Sequence, residues 1–120
     1  MLKKTIVLFA LAAILAATAH ADSQVWNFDK DKTGEVPTGF MNEAGQWKVT
    51  ADSTAPSQSN AVAQLAKSPG STFNLLLLDK ENFKDVDISV AMKAVAGSED
   101  RGGGLVWRTR DSKNYYICPL

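Results

Sequence analysis

Three closely spaced carboxylates, Asp29, Asp31 and Glu35, lie near the start of the polar part of the chain. The segment Asp29–Gly34 reproduces the first half of a calcium-binding loop, in which alternate oxygen-bearing side chains precede a glycine turn. The acid that an EF-hand places at position twelve is replaced by Phe40, and no helix pattern flanks the segment. Two alternatives follow. The first is a Ca²⁺ site built from Asp29, Asp31 and Glu35 with loop carbonyls, and the second is a solvated Asp/Gly turn without metal.

Asp85 and Asp87 form the best-spaced carboxylate pair for acid–base chemistry. Residues two positions apart in a strand project from the same face, and glycoside hydrolysis needs two carboxyls roughly 5 to 5.5 Å apart for retention or 6.5 to 9.5 Å apart for inversion. The face that they share continues with Ser89, Ala91 and Lys93. This pattern favours a solvated strand face over a catalytic pair, so no catalytic residue is predicted.

The histidine and charge counts exclude several function classes. The only histidine, His20, lies in a predicted leader, so the mature chain cannot hold a Ser-His-Asp triad, a Cys-His pair or a His-ligated metal. The chain has 13 basic and 13 acidic residues, and loss of Lys3 and Lys4 with the leader leaves two more acidic than basic residues. A nucleic-acid partner is not expected, because that binding depends on concentrated positive charge.

The first 21 residues have the order of a secretion signal. Two lysines precede the apolar run Thr5–Ala17, and small residues at 19 and 21 precede the cleavage point. The run is shorter than the roughly 20 residues of a membrane-spanning helix. The sequence therefore predicts a signal peptide at 1–21 and a secreted or periplasmic domain at 22–120 without a membrane span. Cys118 has no second cysteine to pair with, so packing must hold the domain.

The predicted domain consists of short strands separated by turn-rich loops. The clearest predicted strand is Val86–Val95, in which apolar residues occupy alternate positions. The other predicted strands are Gln24–Phe28, Gln46–Thr50, Ala61–Leu65, Thr72–Leu78, Gly104–Thr109 and Tyr115–Cys118. A short helix at 60–67 is the alternative for the third of these. Frequent turns between short strands predict an antiparallel sandwich or jelly roll.

The order of these segments carries a family resemblance. The segments WNFDKDKTGEVPTGF (26–40), GQWKV (45–49), VDISVAMK (86–93) and GGGLVWRTRDSKNYYI (102–117) resemble the N-terminal half of a concanavalin A-like, laminin-G-like jelly roll. The nearest resemblance is to the 3-keto-disaccharide hydrolase-like domains of secreted bacterial proteins. It implies an all-β jelly-roll sandwich that is truncated here, because the family continues with further strands. The apolar end Tyr115–Leu120 would then leave an exposed edge and poor solubility.

The resemblance also implies a ligand surface on the last predicted strands. It places Arg108, Asn114 and Tyr116 near a common surface, with Trp107 beside Arg108. An aromatic ring there would stack on a sugar while Arg and Asn make directional hydrogen bonds. The structural alternative is that Arg108 pairs with Asp111 while the tyrosine and tryptophan rings fill a core.

Together these features predict a secreted glycan-binding or extracellular interaction module with a carbohydrate or other extracellular ligand. No cofactor other than the Ca²⁺ alternative is predicted. A glycoside-cleaving enzyme domain is the first alternative, because the resembling family carries that activity in its name. A structural exported domain without a small-molecule ligand is the second.

Overall fold

The computed structural model describes residues 22–98 and 101–120. Within these residues the chain is all-β and contains no helix, and its strands form three separate two-stranded antiparallel sheets. The strands are β1 (Phe40–Ala44), β2 (Trp47–Ala51), β3 (Asn60–Gln64), β4 (Leu75–Leu78), β5 (Gly104–Asp111) and β6 (Asn114–Pro119). The signal peptide predicted at 1–21 lies outside the described residues.

The β2–β3 hairpin is nested in the chain between β1 and β4. The end pairs of the two ladders are Phe40↔Leu78 and Ala44↔Leu75 for β1–β4, and Trp47↔Gln64 and Ala51↔Asn60 for β2–β3. Gly45 makes the tight turn from β1 to β2 with φ +93°, a conformation that L side chains rarely adopt. A Cβ at this position would also lie 2.6 Å from the Asn74 side-chain oxygen.

Val49 lies at the centre of this nested region. Its side chain is 1% exposed, and its N–H and C=O bond to the Glu35 carbonyl and the Gly34 N–H, each at 2.8 Å. Because both backbone groups point towards residues 34–35, the pair Val49↔Val62 is of the non-hydrogen-bonded kind, in which facing side chains approach most closely. Val49 therefore links the loop before β1 to β2 through backbone hydrogen bonds and packs β2 against β3 through its side chain.

The buried apolar core of the described residues is small. Val49 and Leu75, which is 3% exposed, are the buried hydrophobic side chains, and Pro37 is also fully buried. Fifteen large hydrophobic side chains of the described residues are exposed. Where such side chains lie next to one another they are informative, because a contiguous apolar patch marks a surface that another group can cover, whereas single exposed side chains are ordinary.

The prediction of an all-β, antiparallel chain is confirmed, whereas the jelly-roll sandwich stays a prediction. The strands predicted at 46–50, 61–65, 72–78, 104–109 and 115–118 each overlap an observed strand. Strand β1 was not predicted, since Asn42 and Glu43 interrupt its apolar pattern. The strand predicted at residues 61–65 is confirmed by β3, and the helix considered at residues 60–67 is absent.

The strand predicted at Gln24–Phe28 is wrong. These residues form no ladder, and Phe28 has a φ of +62° that breaks an extended run. The aromatic rings instead pack edge-on against β1, with Trp26 and Phe28 at centroid distances of 6.0 and 5.7 Å from Phe40. Ring packing fixes this segment where backbone pairing was expected.

The strand predicted at Val86–Val95 is also wrong. Its apolar alternation is present, but a strand requires ladder bonds to a neighbour, and none pairs with it within the described residues. A side chain holds it instead: Lys93 Nζ donates to Asp52 Oδ2 at 3.1 Å and to Thr54 Oγ1 at 2.7 Å. Hydrogen bonds from the Thr54 hydroxyl and amide, and then from Lys93, lower the pKa of Asp52 to about 2.

Substitution of Val49 tests the small core. We expect Val49→Ala to lower the free energy of unfolding by about 1–3 kcal/mol, since it removes buried methyl groups and leaves a cavity. Val25, which is 83% exposed, provides the matched control: Val25→Ala changes this free energy by less than about 0.5 kcal/mol. Urea unfolding followed by tryptophan fluorescence measures both, and equal effects would contradict the assignment of Val49 as the core residue.

Candidate functional site

Strands β5 and β6 form the hairpin that carries the predicted ligand residues. The regular ladder runs from Gly104↔Pro119 to Trp107↔Tyr116, and pairing resumes only at Asp111↔Asn114. Residues 108–110 of β5 therefore face a single residue of β6, so the hairpin contains a bulge. A bulge bends its strand and re-aims the side chains that it carries.

Arg108 opens this bulge in a strained conformation. Its φ of +51° lies in the left-handed region, which costs a residue other than glycine about 1–3 kcal/mol. The flanking pairs Trp107↔Tyr116 and Asp111↔Asn114 hold it there. Because of the bulge, Arg108 departs from the strict alternation of β5, and its side chain lines the same concavity as Lys113 and Asn114 at the hairpin turn.

Asp111 and Asn114 close the hairpin over the two-residue turn Ser112–Lys113. The Lys113 N–H donates to Asp111 Oδ1 at 2.8 Å, and Asn114 Nδ2 lies 2.8 and 2.9 Å from the two Asp111 carboxylate oxygens. The Lys113 amide and then the Asn114 side chain lower the pKa of Asp111 below 3.8. A turn braced by a charged acceptor fixes the position of Asn114.

A glycine permits close approach at the open end of the hairpin. A Cβ on Gly104 would lie 2.3 Å from the Cys118 carbonyl oxygen. The neighbouring residue Gly103 accepts a backbone hydrogen bond from Leu120 at 2.7 Å. The glycines before β5 thus allow the two strands to meet, which is the close-approach role of glycine in sheets.

Trp107 and Tyr116 form an aromatic pair on one face of the hairpin. Their ring centroids are 6.0 Å apart and their planes are inclined by 19°, so the rings are stacked. The side chains are 39% and 59% exposed. Both rings therefore present surface to the solvent, in contrast to the alternative in which they fill a core.

A concavity of about 550 Å³ lies beside this stack. Its lining residues are Arg108, Arg110, Lys113, Asn114, Tyr115 and Tyr116. Three of the four predicted ligand residues line it, and the fourth, Trp107, stacks on Tyr116. The structure therefore brings together the set that the resemblance implied.

The lining also includes residues that the sequence reasoning did not select. Arg110, Lys113 and Tyr115 were missed. The two-residue spacing of Arg108 and Arg110 was the available signal, because alternate residues of a strand project from the same face. Among the described residues, the cationic side chains of the lining form no ion pair; they are Arg108, Arg110 and Lys113. The Asp111 carboxylate bonds to Asn114 rather than to Arg108. The concavity thus offers free guanidinium and ammonium donors.

The three carboxylates of the predicted calcium site are used in loop contacts. Asp29 Oδ1 accepts from Ser57 Oγ at 2.7 Å, Asp31 Oδ1 accepts from the Thr38 N–H at 2.9 Å, and Glu35 pairs with the lysine three residues before it. Hydrogen bonds from the Thr38 hydroxyl and amide lower the pKa of the Asp31 carboxyl. Across residues 22–98 and 101–120 no group of three or more His, Cys, Asp or Glu side chains is placed to hold a metal ion. These contacts describe a braced loop, and the Ca²⁺ site stays a prediction.

Comparisons with known proteins do not add a family. The chain matches no protein-family model, no curated protein and no solved structure. The part of the chain that the structure describes contains no helix of the length and apolar character needed to cross a bilayer. The concanavalin A-like resemblance therefore stays a prediction.

Substitution of two adjacent glycines tests the close approach in the hairpin. We expect Gly104→Ala to separate β5 from β6, because the added methyl would meet a backbone carbonyl that cannot move aside. Gly103→Ala is the matched control, since its methyl would meet only the flexible Met92 side chain, 2.7 Å from Sδ. Loss of amide protection across β5 and β6 in hydrogen exchange is expected for the first variant alone; intact protection in both would contradict the assigned contact.

The lowered pKa of Asp111 gives a pH-dependent hairpin. Because the folded pKa lies below 3.8, the carboxylate stabilises the turn fully above that pH, and this contribution is lost as the pH falls through the folded value. We expect Asn114→Ala to raise the pKa of Asp111 part of the way to 3.8. Lys113→Ala retains the backbone N–H and should leave the pKa lowered. Carboxyl chemical shifts followed by NMR against pH measure both variants, and an unchanged Asp111 pKa in Asn114→Ala would contradict this account.

Proposed function

We propose that the protein is a secreted or periplasmic glycan-binding module whose ligand surface is the β5–β6 hairpin, within a concanavalin A-like sandwich. The observation that carries the proposal is the exposed Trp107–Tyr116 stack beside a concavity lined by Arg108 and Asn114. The leader pattern at 1–21 supports export.

The hairpin has the chemical groups that a saccharide requires. The apolar face of a sugar ring packs on exposed aromatic rings, which supply rigid contact area. Sugar hydroxyls both donate and accept hydrogen bonds. Arg108 donates only, whereas the Asn114 amide nitrogen is occupied by Asp111 and its oxygen remains as an acceptor. The surface thus combines stacking with donors and an acceptor in one place.

Binding is favoured over cleavage by the charges around the concavity. Glycoside hydrolysis uses two carboxyls roughly 5 to 5.5 Å apart for retention or 6.5 to 9.5 Å apart for inversion, and the described lining contains no carboxyl group. Asp85 and Asp87, the pair with suitable spacing, are both exposed and belong to the segment without a ladder. Donor groups without an acid–base pair support recognition of a sugar without bond breaking.

Two tryptophans of similar exposure provide the test. We expect Trp107→Ala to weaken retention on the polysaccharide that the unaltered chain binds by about tenfold, as for a central aromatic contact. Trp26→Ala is the matched control, because Trp26 is 40% exposed and contacts Phe40 of β1 rather than the hairpin. A glycan array selects the ligand, and affinity electrophoresis then compares the variants.

The same samples distinguish the alternatives. Equal retention of the two tryptophan variants would contradict the assigned surface, and no retention of the unaltered chain on any glycan would contradict the proposed function. Release of reducing ends by the unaltered chain would identify a glycoside-cleaving enzyme instead.

A further inference from the structure

Residues 86–95, here called the unpaired segment, carry an apolar row that the described chain does not cover. Every residue of the segment is exposed, and none takes part in a ladder. The large side chains of the row are 44–54% exposed: Val86, Ile88, Val90 and Met92. An extended run of alternate apolar residues with free backbone groups is a template for pairing with another strand.

The unpaired segment is also held in place by the rest of the chain. Lys93 bonds to Asp52 and Thr54, and the Met92 sulfur lies so close to Gly103 that a Cβ there would be 2.7 Å from it. These contacts fix the segment at one end through side chains and leave its backbone available.

The sequence of residues 86–94 within the segment is self-complementary about Val90. Asp87 and Lys93 lie three residues to either side of it, and their charges are opposite. Ile88 and Met92 lie two residues to either side, and both are large and apolar. Val86 and Ala94 complete the same pattern. A strand with this arrangement matches its own reversed copy.

We infer that the unpaired segment is a dimerisation strand, which pairs antiparallel with the same segment of a second copy about a two-fold axis at Val90. Val90 then faces Val90, Ile88 faces Met92, and Asp87 faces Lys93 on both sides of the axis. Such an interface is isologous, so it closes on two copies. Apolar pairs and opposite charges directly across an antiparallel pair both stabilise it.

The charges select this register over its neighbours. A slip of one residue places every apolar residue opposite the polar face. A shift that moves the axis to Ser89 pairs Asp85 with Lys93 but places Ala94 opposite Lys84, and an axis at Ala91 places Lys93 opposite Ser89. A parallel arrangement in register would oppose Asp87 to Asp87. Of these registers, only the axis at Val90 places every residue of the row, from Val86 to Ala94, opposite an apolar residue and also places Asp87 opposite Lys93. Val95 lies on the other face, opposite Asp85.

The intrachain contact of Lys93 is compatible with this dimer. The ammonium group has three donors, and two of them are used by Asp52 and Thr54. The third can reach the partner's Asp87. Lys93 then holds the segment to its own chain and to the second copy at once.

A cysteine scan of the full chain reads the register directly. In a Cys118→Ser background, which removes the native thiol, single variants Ser89→Cys, Val90→Cys and Ala91→Cys are oxidised under mild conditions. Facing cysteines across an antiparallel pair lie within disulfide range, so we expect cross-linked dimer from Val90→Cys and at least tenfold less from the other two. Equal cross-linking at all three positions would indicate a parallel or unspecific association, and no cross-linking at residue 90 would overturn the inference.

Charge reversal tests the same dimer without cysteines. In an Asp52→Asn background, which removes the carboxylate partner of Lys93 within the chain, we expect Asp87→Lys or Lys93→Asp to weaken the dimer by about tenfold or more. The double variant should return to within about threefold of the background. Sedimentation velocity at several protein concentrations measures the dimer. A monomeric background protein, or a double variant that stays as weak as the single ones, would overturn the inference.

Discussion

The nested region of this protein depends on the burial of Val49. Its backbone N–H and C=O are used by the loop at residues 34–35, and its side chain faces Val62 across the ladder. Burial of one valine contributes about 1.5–3 kcal/mol, which is a large share for a region with so few buried side chains. The calcium-like loop that precedes β1 owes its position to this residue and to hydrogen bonds accepted by its own carboxylates.

Because few apolar side chains are buried, much of the apolar surface of the described residues is exposed. Antiparallel sheets normally cover one face with a core and leave the other to water. Here three two-stranded sheets leave apolar side chains exposed at the β5–β6 hairpin and in the unpaired segment. The two surfaces differ in chemistry. The hairpin combines aromatic rings with cations and an amide, whereas the unpaired segment combines aliphatic side chains with a free backbone.

The bulge in β5 assembles the candidate site. In a regular ladder, alternation would place Arg108 and Arg110 on the face opposite to Trp107, Tyr116 and Asn114. With the bulge, both arginines line the concavity together with Asn114, which the Asp111 carboxylate holds at the turn. The strain of Arg108 is sustained by paired residues on either side. Strain that is held in this way is typical of positions where a side chain must be aimed at a ligand.

The sequence by itself determined the all-β class and most strand positions, because alternation, β-branched residues and turn residues act locally. It also indicated that Arg108, Asn114, Tyr116 and Trp107 belong together, through a resemblance. Only the tertiary structure decided which strands are paired. The alternation at Val86–Val95 determines which side chains share a face, but it does not determine which strand pairs with the segment. Between residues 24 and 28 the Phe28 ring packs on Phe40 where a backbone ladder was expected. The bulge likewise depends on the register between two strands, which no local pattern in β5 specifies.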